Sequence, residues 1–301
     1  MNATIITVAV AEEFNLELEV DQFFKGDTSS IRHQSKFVEH QLATSLARNS
    51  LTKGLVLLKK ADSTKKNLFL LHDVWGNTEC YNDLLKNMNG DFNIYGLADF
   101  DHSLERKHSF NITKVAQEYM ARILSVQNEG PYYLTGWSMG AILAYEIAVN
   151  LEKNGRIVEK LILLDSNCPK PSSWKKEFSL INATLEQVLI NSSKGLNIEN
   201  TIPDILMKII PGRLRTDYVQ LIDSLNFIHL ILEQLLAYKP NSLTLSEIIF
   251  FKASNSEMVV NDSWESFSSR SSQKVTLTAN HFSILKGEAV KKIADYLHAI
   301  S

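Results

Sequence analysis

The chain has 301 residues, 45% of them hydrophobic and 22% charged, with 31 Lys and Arg against 34 Asp and Glu for a formal charge of −3. That composition describes one large folded domain with an appendage and fits two separate full domains less well. Opposite charges are intermixed, so no basic stripe points to nucleic acid and no polybasic run points to a membrane surface.

In chain order, the first feature is the apolar run ATIITVAVA over residues 3–11. It is short enough for a signal-peptide core, but no Lys or Arg precedes it and Glu12 and Glu13 follow at once, so it reads as a helix face. Residues 1–50 are expected to form an amino-terminal extension and residues 51–301 the main domain. From Leu55 onward, strand-like runs recur: LVLL (55–58), LFLLH (68–72), FNIYGL (92–97), YYLTG (132–136), LILLD (161–165), EIIFFKA (247–253) and KVTLTA (274–279). Their apolar residues are consecutive, as in strands buried on both faces. Helical periodicities lie among them at 112–126 and 141–153, and another closes the chain at 288–300. The pattern predicts an α/β fold with a doubly wound, mostly parallel sheet flanked by helices.

One segment interrupts the alternation. Residues 169–239 carry helical patterns and no strand, which reads either as a lid over a site or as a helical subdomain packed on itself. Cys80 and Cys168 have no metal-ligand spacing and fit thiols in a reducing cytosol, with a disulfide between them left open. No run approaches the roughly 18 uninterrupted apolar residues of a membrane span. The expectation is a soluble, cytoplasmic protein without a metal site.

The chemistry centres on GWSMG, Gly136 to Gly140, which places Ser138 between a strand and a helix as a G-x-S-x-G nucleophile elbow. The glycines permit a tight turn, and the following helix directs its N-terminus toward developing negative charge. A serine hydroxyl needs a base to take its proton and a carboxylate to orient that base. Of eight histidines, His281 lies in a loop between the last strand and the closing helix, at the same sheet edge as Ser138. His229 and His298 lie in helical patterns, His33 and His40 lie in the extension, and His72 ends a strand where it would shape the pocket. For the acid, Asp165 at the end of LILLD is preferred over Glu257 and Asp262, which follow the later strand EIIFFKA where many such folds carry it. The oxyanion donors are assigned to the backbone N–H groups of Met139 and Val74, with Asp73 and Trp75 as alternatives to Val74. Trp75 and Trp137 are candidate pocket residues.

These motifs together resemble the type I thioesterase domain that ends nonribosomal peptide synthetases and related polyketide synthases, a branch of the α/β-hydrolase fold. The likeness runs from about Leu55 to Leu297. It rests on LFLLHDVWGN, GPYYLTGWSMGAILAYEIAVNLEKNG, VEKLILLDS and NHFSIL. It implies an α/β-hydrolase fold with a helical lid, Ser138 as acylated nucleophile, His281 as base and acid, and Asp165 as orienter. It also implies a substrate presented on the 4'-phosphopantetheine of an acyl or peptidyl carrier, with no cofactor bound by the domain itself. Release would occur by hydrolysis or by macrocyclisation. The acid at Asp165 matches the chain-releasing type rather than the editing type. The first loop departs from the family's H-P-x-G-G, with Asp73 for proline and Trp75 for glycine. The competing readings are a general carboxylesterase or lipase acting on oxygen esters, and a non-catalytic binding protein of the same fold.

In the extension, VDQFFKGDTSSIRHQSKFVEHQL is faintly similar to the phosphopantetheine site of a carrier domain and would put the arm on Ser30. Asp27 and Thr28 stand where glycines are expected, so a degenerate carrier-like remnant or a docking extension is favoured over a working carrier. The bland alternative makes Thr28 or Ser29 a helix cap.

Overall fold

The computed structural model describes residues 54–62, 64–98, 110–195, 198, 201–212, 215, 218–258 and 261–301, with residues 6, 7, 9, 10, 34, 35 and 38. Two compact units divide the chain, Met1–Lys53 and Gly54–Ser301. In the first, the described residues are helical, among them Ile6, Thr7, Ala9 and Val10 of the run read as a helix face. Thr28, Ser29, Ser30, His33 and His40 lie outside the described residues.

The second unit holds one seven-stranded sheet. Its strands are β1 (Leu55–Lys59), β2 (Lys66–Leu71), β3 (Phe92–Leu97), β4 (Tyr132–Trp137), β5 (Val158–Leu164), β6 (Glu247–Ala253) and β7 (Ser272–Leu277), in the order β1-β3-β2-β4-β5-β6-β7. β1 runs antiparallel to β3 and the other pairs are parallel. The consecutive apolar runs feed two cores, because successive side chains of a strand point to opposite faces. Phe69, Leu71, Leu134, Leu161 and Leu163 join one core, and Leu68, Leu70, Tyr133, Ile162 and Leu164 join the other. Full burial of each such side chain contributes about 1.5–3 kcal/mol.

The two edge strands depart from the two-sided burial that their apolar runs predict. Val56 and Leu57 of β1 are 40% and 44% exposed, and Gln273 and Lys274 of β7 face solvent. Each edge strand has a neighbour on one side only, and a charged residue on an exposed edge discourages further strand addition.

Helices α1 (Asn82–Asn87) and α7 (Gly287–Ala299) add to the second core, the latter through the stripe Ala289, Val290, Ile293, Ala294 and Leu297. Helices α2 (Ile112–Val126) and α3 (Met139–Lys153) build the first. The Asn111 side chain caps α2 by accepting the Lys114 N–H at 2.9 Å. α3 is buried from Met139 to Leu151 because sheet, α2 and later helices surround it.

The segment expected to be helical holds a 3-10 turn (Pro171–Trp174), α4 (Lys175–Ser193), α5 (Asp204–Ile209) and α6 (Tyr218–Ala237), with no strand among its described residues. By length and composition α6 would suffice to cross a membrane, which no run of the sequence had indicated. Its apolar positions Leu221, Leu225, Ile228, Ile231, Leu232 and Leu235 are instead packed in the first core. The exit from α6 is pinned to α3: Tyr238 O–H donates to Glu146, and the Glu152 carboxylate accepts the N–H groups of Thr244, Leu245 and Ser246.

Candidate active site

Ser138 sits between β4 and α3 with φ 55° and ψ −119°, a left-handed conformation that a non-glycine residue adopts only under tertiary constraint. Its N–H is held by the Leu164 carbonyl at 3.1 Å. The flanking glycines are needed for close approach. A Cβ on Gly136 would stand 2.1 Å from the Gly140 carbonyl oxygen, and one on Gly140 would stand 2.6 Å from the carbonyl oxygens of Leu71 and His72. The turn is braced by Tyr81, whose O–H donates to Leu71 O at 2.8 Å while its oxygen accepts the Trp137 N–H at 2.9 Å. Burial pushes the Tyr81 phenol well above its usual range, so it stays a neutral brace.

Three residues far apart in sequence meet here. Ser138 Oγ–H lies 3.1 Å from His281 Nε2, and His281 Nδ1 lies 2.8 Å from Asp165 Oδ2. A carboxylate only accepts, so the hydrogen of the neutral imidazole belongs on Nδ1 and leaves Nε2 free to accept from the serine. Asp165 is 0% exposed and has just left β5 at φ 40°, with its N–H on Phe251 O at 2.7 Å. Its carboxylate also accepts Ala253 N–H at 2.8 Å and Ser256 Oγ–H at 2.6 Å, which offset the loss of water around a buried charge. Trp137 packs on the His281 ring with centroids 5.0 Å apart, and its indole N–H donates to His281 O at 3.2 Å.

The alternatives stand elsewhere. Glu257 lines the cavity but is exposed, and Asp262 pairs with Lys252 and Lys274 at 2.7 and 2.6 Å. His229 stacks on Phe178 and His298 pairs with Asp91. His72 differs from its expected place on the pocket wall: the ring is buried, taking Tyr119 O–H on Nε2 at 2.7 Å and donating Nδ1–H to Asp73 O. Those two bonds turn it into the interior.

Beside Ser138, the loop after β2 forms a turn in which Gly76 N–H donates to Asp73 O at 3.1 Å. Asp73 N–H is bound to Asn77 O and Trp75 N–H to Asp73 Oδ1 at 2.8 Å, which excludes both as free donors. Val74 N–H has no acceptor among the described residues. Met139 N–H, at the first position of α3, lacks an intrahelical acceptor. Burial, opposed by the Trp75 and Asn77 amides, raises the Asp73 carboxyl to about 6, with Glu79 adding to the rise.

These groups open into a cavity of about 350 Å³. The helical segment supplies most of its wall, including Leu180, Ile181, Ile205, Ile209, Ile228 and Leu232. Trp75 also lines it, with its indole N–H on Ile209 O at 2.7 Å and its ring 6.3 Å from Phe227. The segment therefore walls a cavity that Ser138 also lines. Among the described residues no cluster of His, Cys, Asp and Glu is arranged for a metal, and both cysteines are free thiols.

Sequence reasoning missed Tyr81 and Ser256. Neither carries a motif, and each acts through an atom that only the fold brings near. Asp73 was noted as a departure, but its loop hydrogen bonds were not legible.

A family model described as Thioesterase domain matches residues 66–301. A non-reducing polyketide synthase of Cladonia metacorallifera is 30% identical over 184 residues, covering 55% of this chain and 9% of that protein. A dimodular nonribosomal peptide synthase of Bacillus subtilis is 28% identical over 157 residues, covering 52% of this chain and 6% of that protein. The chain thus spans less than a tenth of the length of these relatives. Among solved structures, a four-domain nonribosomal peptide synthetase bound to AMP and glycine superposes with a TM-score of 0.61 at 21% identity, covering 99% of this chain and 23% of that one. The RedJ thioesterase of the prodiginine pathway in Streptomyces coelicolor gives 0.57 at 16% identity, covering 81% and 94%. At these identities the likenesses show the fold.

Proposed function

The chain belongs to the thioesterase-domain family, and on that premise we propose that it releases an acyl or peptidyl chain from the phosphopantetheine arm of a carrier protein through an acyl-enzyme on Ser138. The observation that carries this reading is the hydrogen-bonded row Ser138–His281–Asp165 at the base of an apolar cavity. Ser138 Oγ bonds to the thioester carbonyl carbon as His281 Nε2 takes its proton. The carbonyl electron pair moves onto oxygen, where the Val74 and Met139 N–H groups receive it. Collapse breaks the C–S bond, and the departing sulfur takes the proton from His281 Nε2. Asp165 holds the imidazole by Nδ1 and stabilises its charged form throughout.

Water, or a hydroxyl or amine of the chain itself, then attacks the ester. Its proton passes to Nε2 and on to Ser138 Oγ, giving a free acid or a macrocycle. The helices from 169 to 239 act as a lid whose apolar wall holds the acyl chain and keeps water scarce. The carrier is the expected partner. The segment around Ser30 is proposed as a carrier-like remnant outside the catalytic chemistry.

The test is labelling with a fluorophosphonate probe, wild type against Ser138→Ala, followed by turnover of N-acetylcysteamine thioesters and p-nitrophenyl esters. Labelling lost in the variant and faster turnover of the thioesters are expected. Equal labelling of both proteins removes Ser138 from its role, and a preference for oxygen esters returns the reading to a general esterase.

A further inference from the structure

The last residue of β6 and the turn after it supply two of the three donors to the Asp165 carboxylate. Ala253 N–H reaches Oδ1 at 2.8 Å, and Ser256 Oγ–H reaches Oδ2 at 2.6 Å, the same oxygen that takes His281 Nδ1–H at 2.8 Å. This turn is also tied to the chain leading into the histidine loop, since Ser254 N–H donates to Leu277 O at 2.8 Å and Asn255 N–H to Ala279 O at 2.9 Å. A carboxylate on a short side chain rotates easily about its last bond, because that torsion has broad minima. The Ala253 amide on Oδ1 and the imidazole on Oδ2 each hold one oxygen by a single bond. A second donor on Oδ2 fixes which lone pair faces the imidazole.

We infer that Ser256 is a positioning residue of the reaction: its hydroxyl pins Asp165 Oδ2 against His281 Nδ1, making the constellation one of four side chains. This rests on the reading of Ser138 as nucleophile. Ser256 is not among the residues that line the cavity, whereas its neighbours Glu257 and Met258 are, so an effect confined to kcat separates a role through Asp165 from a change in the cavity wall. Its hydroxyl also shares the charge of a carboxylate with no access to water, and hydrogen bonds to such groups are among the stronger ones.

The experiment uses the full chain with Ser256→Ala, Ser256→Thr and the exchange pair Asp165→Ser with Ser256→Asp, assayed on a short N-acetylcysteamine thioester and by fluorophosphonate labelling. Ser256→Ala should lower kcat on the order of tenfold with KM within about twofold of wild type. Ser256→Thr, which keeps the hydroxyl, should recover most of that loss. Ser256 Oγ and His281 Nδ1 converge on one point in space, so the exchange pair should exceed Asp165→Ser alone by at least about tenfold. Wild-type kcat in the alanine variant overturns the inference, and so does a loss that threonine fails to restore or that appears in KM. Those outcomes leave the nucleophile assignment intact, because wild type still labels. A wild type that resists the probe removes Ser138 from its role and this inference with it.

Discussion

The indole N–H of Trp75 donates to the Ile209 carbonyl at 2.7 Å, joining the loop that carries Val74 to the end of α5. The last carbonyls of a helix lack intrahelical partners, so Trp75 satisfies one of them while lining the cavity. That bond ties the loop after β2 to α5.

Trp75→Phe keeps a ring against Phe227 and removes the donor. The expected loss is about 1 kcal/mol, or about 2–4 °C in Tm for a domain of this size. Hydrogen exchange should rise across residues 204–212 while β4 and α3 stay protected. Unchanged exchange in α5 would mean that the bond does not hold that helix.

Val74 occupies the second position of the Asp73–Gly76 turn, where proline is favoured and the N–H takes no part in the turn. Val74→Pro therefore deletes the proposed oxyanion donor with little disturbance. A fall in kcat of roughly 10²–10³ is expected, with Tm held, since that is the usual loss for one such donor. Val74→Ala, which retains the amide, should remain within a few-fold of wild type in steady-state assays.

Asp165→Asn keeps the shape but presents an amide to His281 Nδ1. The imidazole is then driven toward the wrong tautomer, with its hydrogen on Nε2 facing the serine. A loss of about 10⁴ in kcat is expected, with KM little changed. Single-turnover acylation with a chromogenic thioester measures it, and a loss under tenfold would make Asp165 a structural acid only.

The Asp73 carboxyl is raised from 3.8 to about 6, first by burial. The folded protein therefore holds this proton more tightly than the unfolded chain does. Stability from the group is fully present below about pH 4 and is lost as pH rises through about 6. Asp73→Asn keeps an acceptor oxygen for the Trp75 and Asn77 amides and cannot ionise. Urea unfolding should show the variant gaining on wild type by about 2 kcal/mol between pH 4 and pH 7.5, an order-of-magnitude figure. A constant difference across that range would place Asp73 in solvent.

Much of this molecule is legible in the sequence. The runs around Leu70, Leu134, Ile162 and Phe250 are apolar on consecutive positions because parallel strands bury both faces, and that property is local. Ser138 was legible because a sharp strand-to-helix turn demands small neighbours, and Gly136 and Gly140 are two residues away on either side. His281 followed from its place after the last strand. Val56 and Leu57 read like core residues because apolar character does not say whether a second neighbour arrives on the outer side.

What the sequence by itself determined is what depends on near neighbours in the chain: strand and helix periods, the glycine turn, and the ends of strands where reacting groups collect. Tertiary structure alone decided that, among the described residues, Val74 N–H rather than that of Asp73 or Trp75 is left without an acceptor, that His72 turns inward to Tyr119, and that Ser256 reaches Asp165 across 91 residues. Those outcomes are settled by competition for hydrogen bonds within a few ångströms, and the competitors are brought together only by the packed sheet.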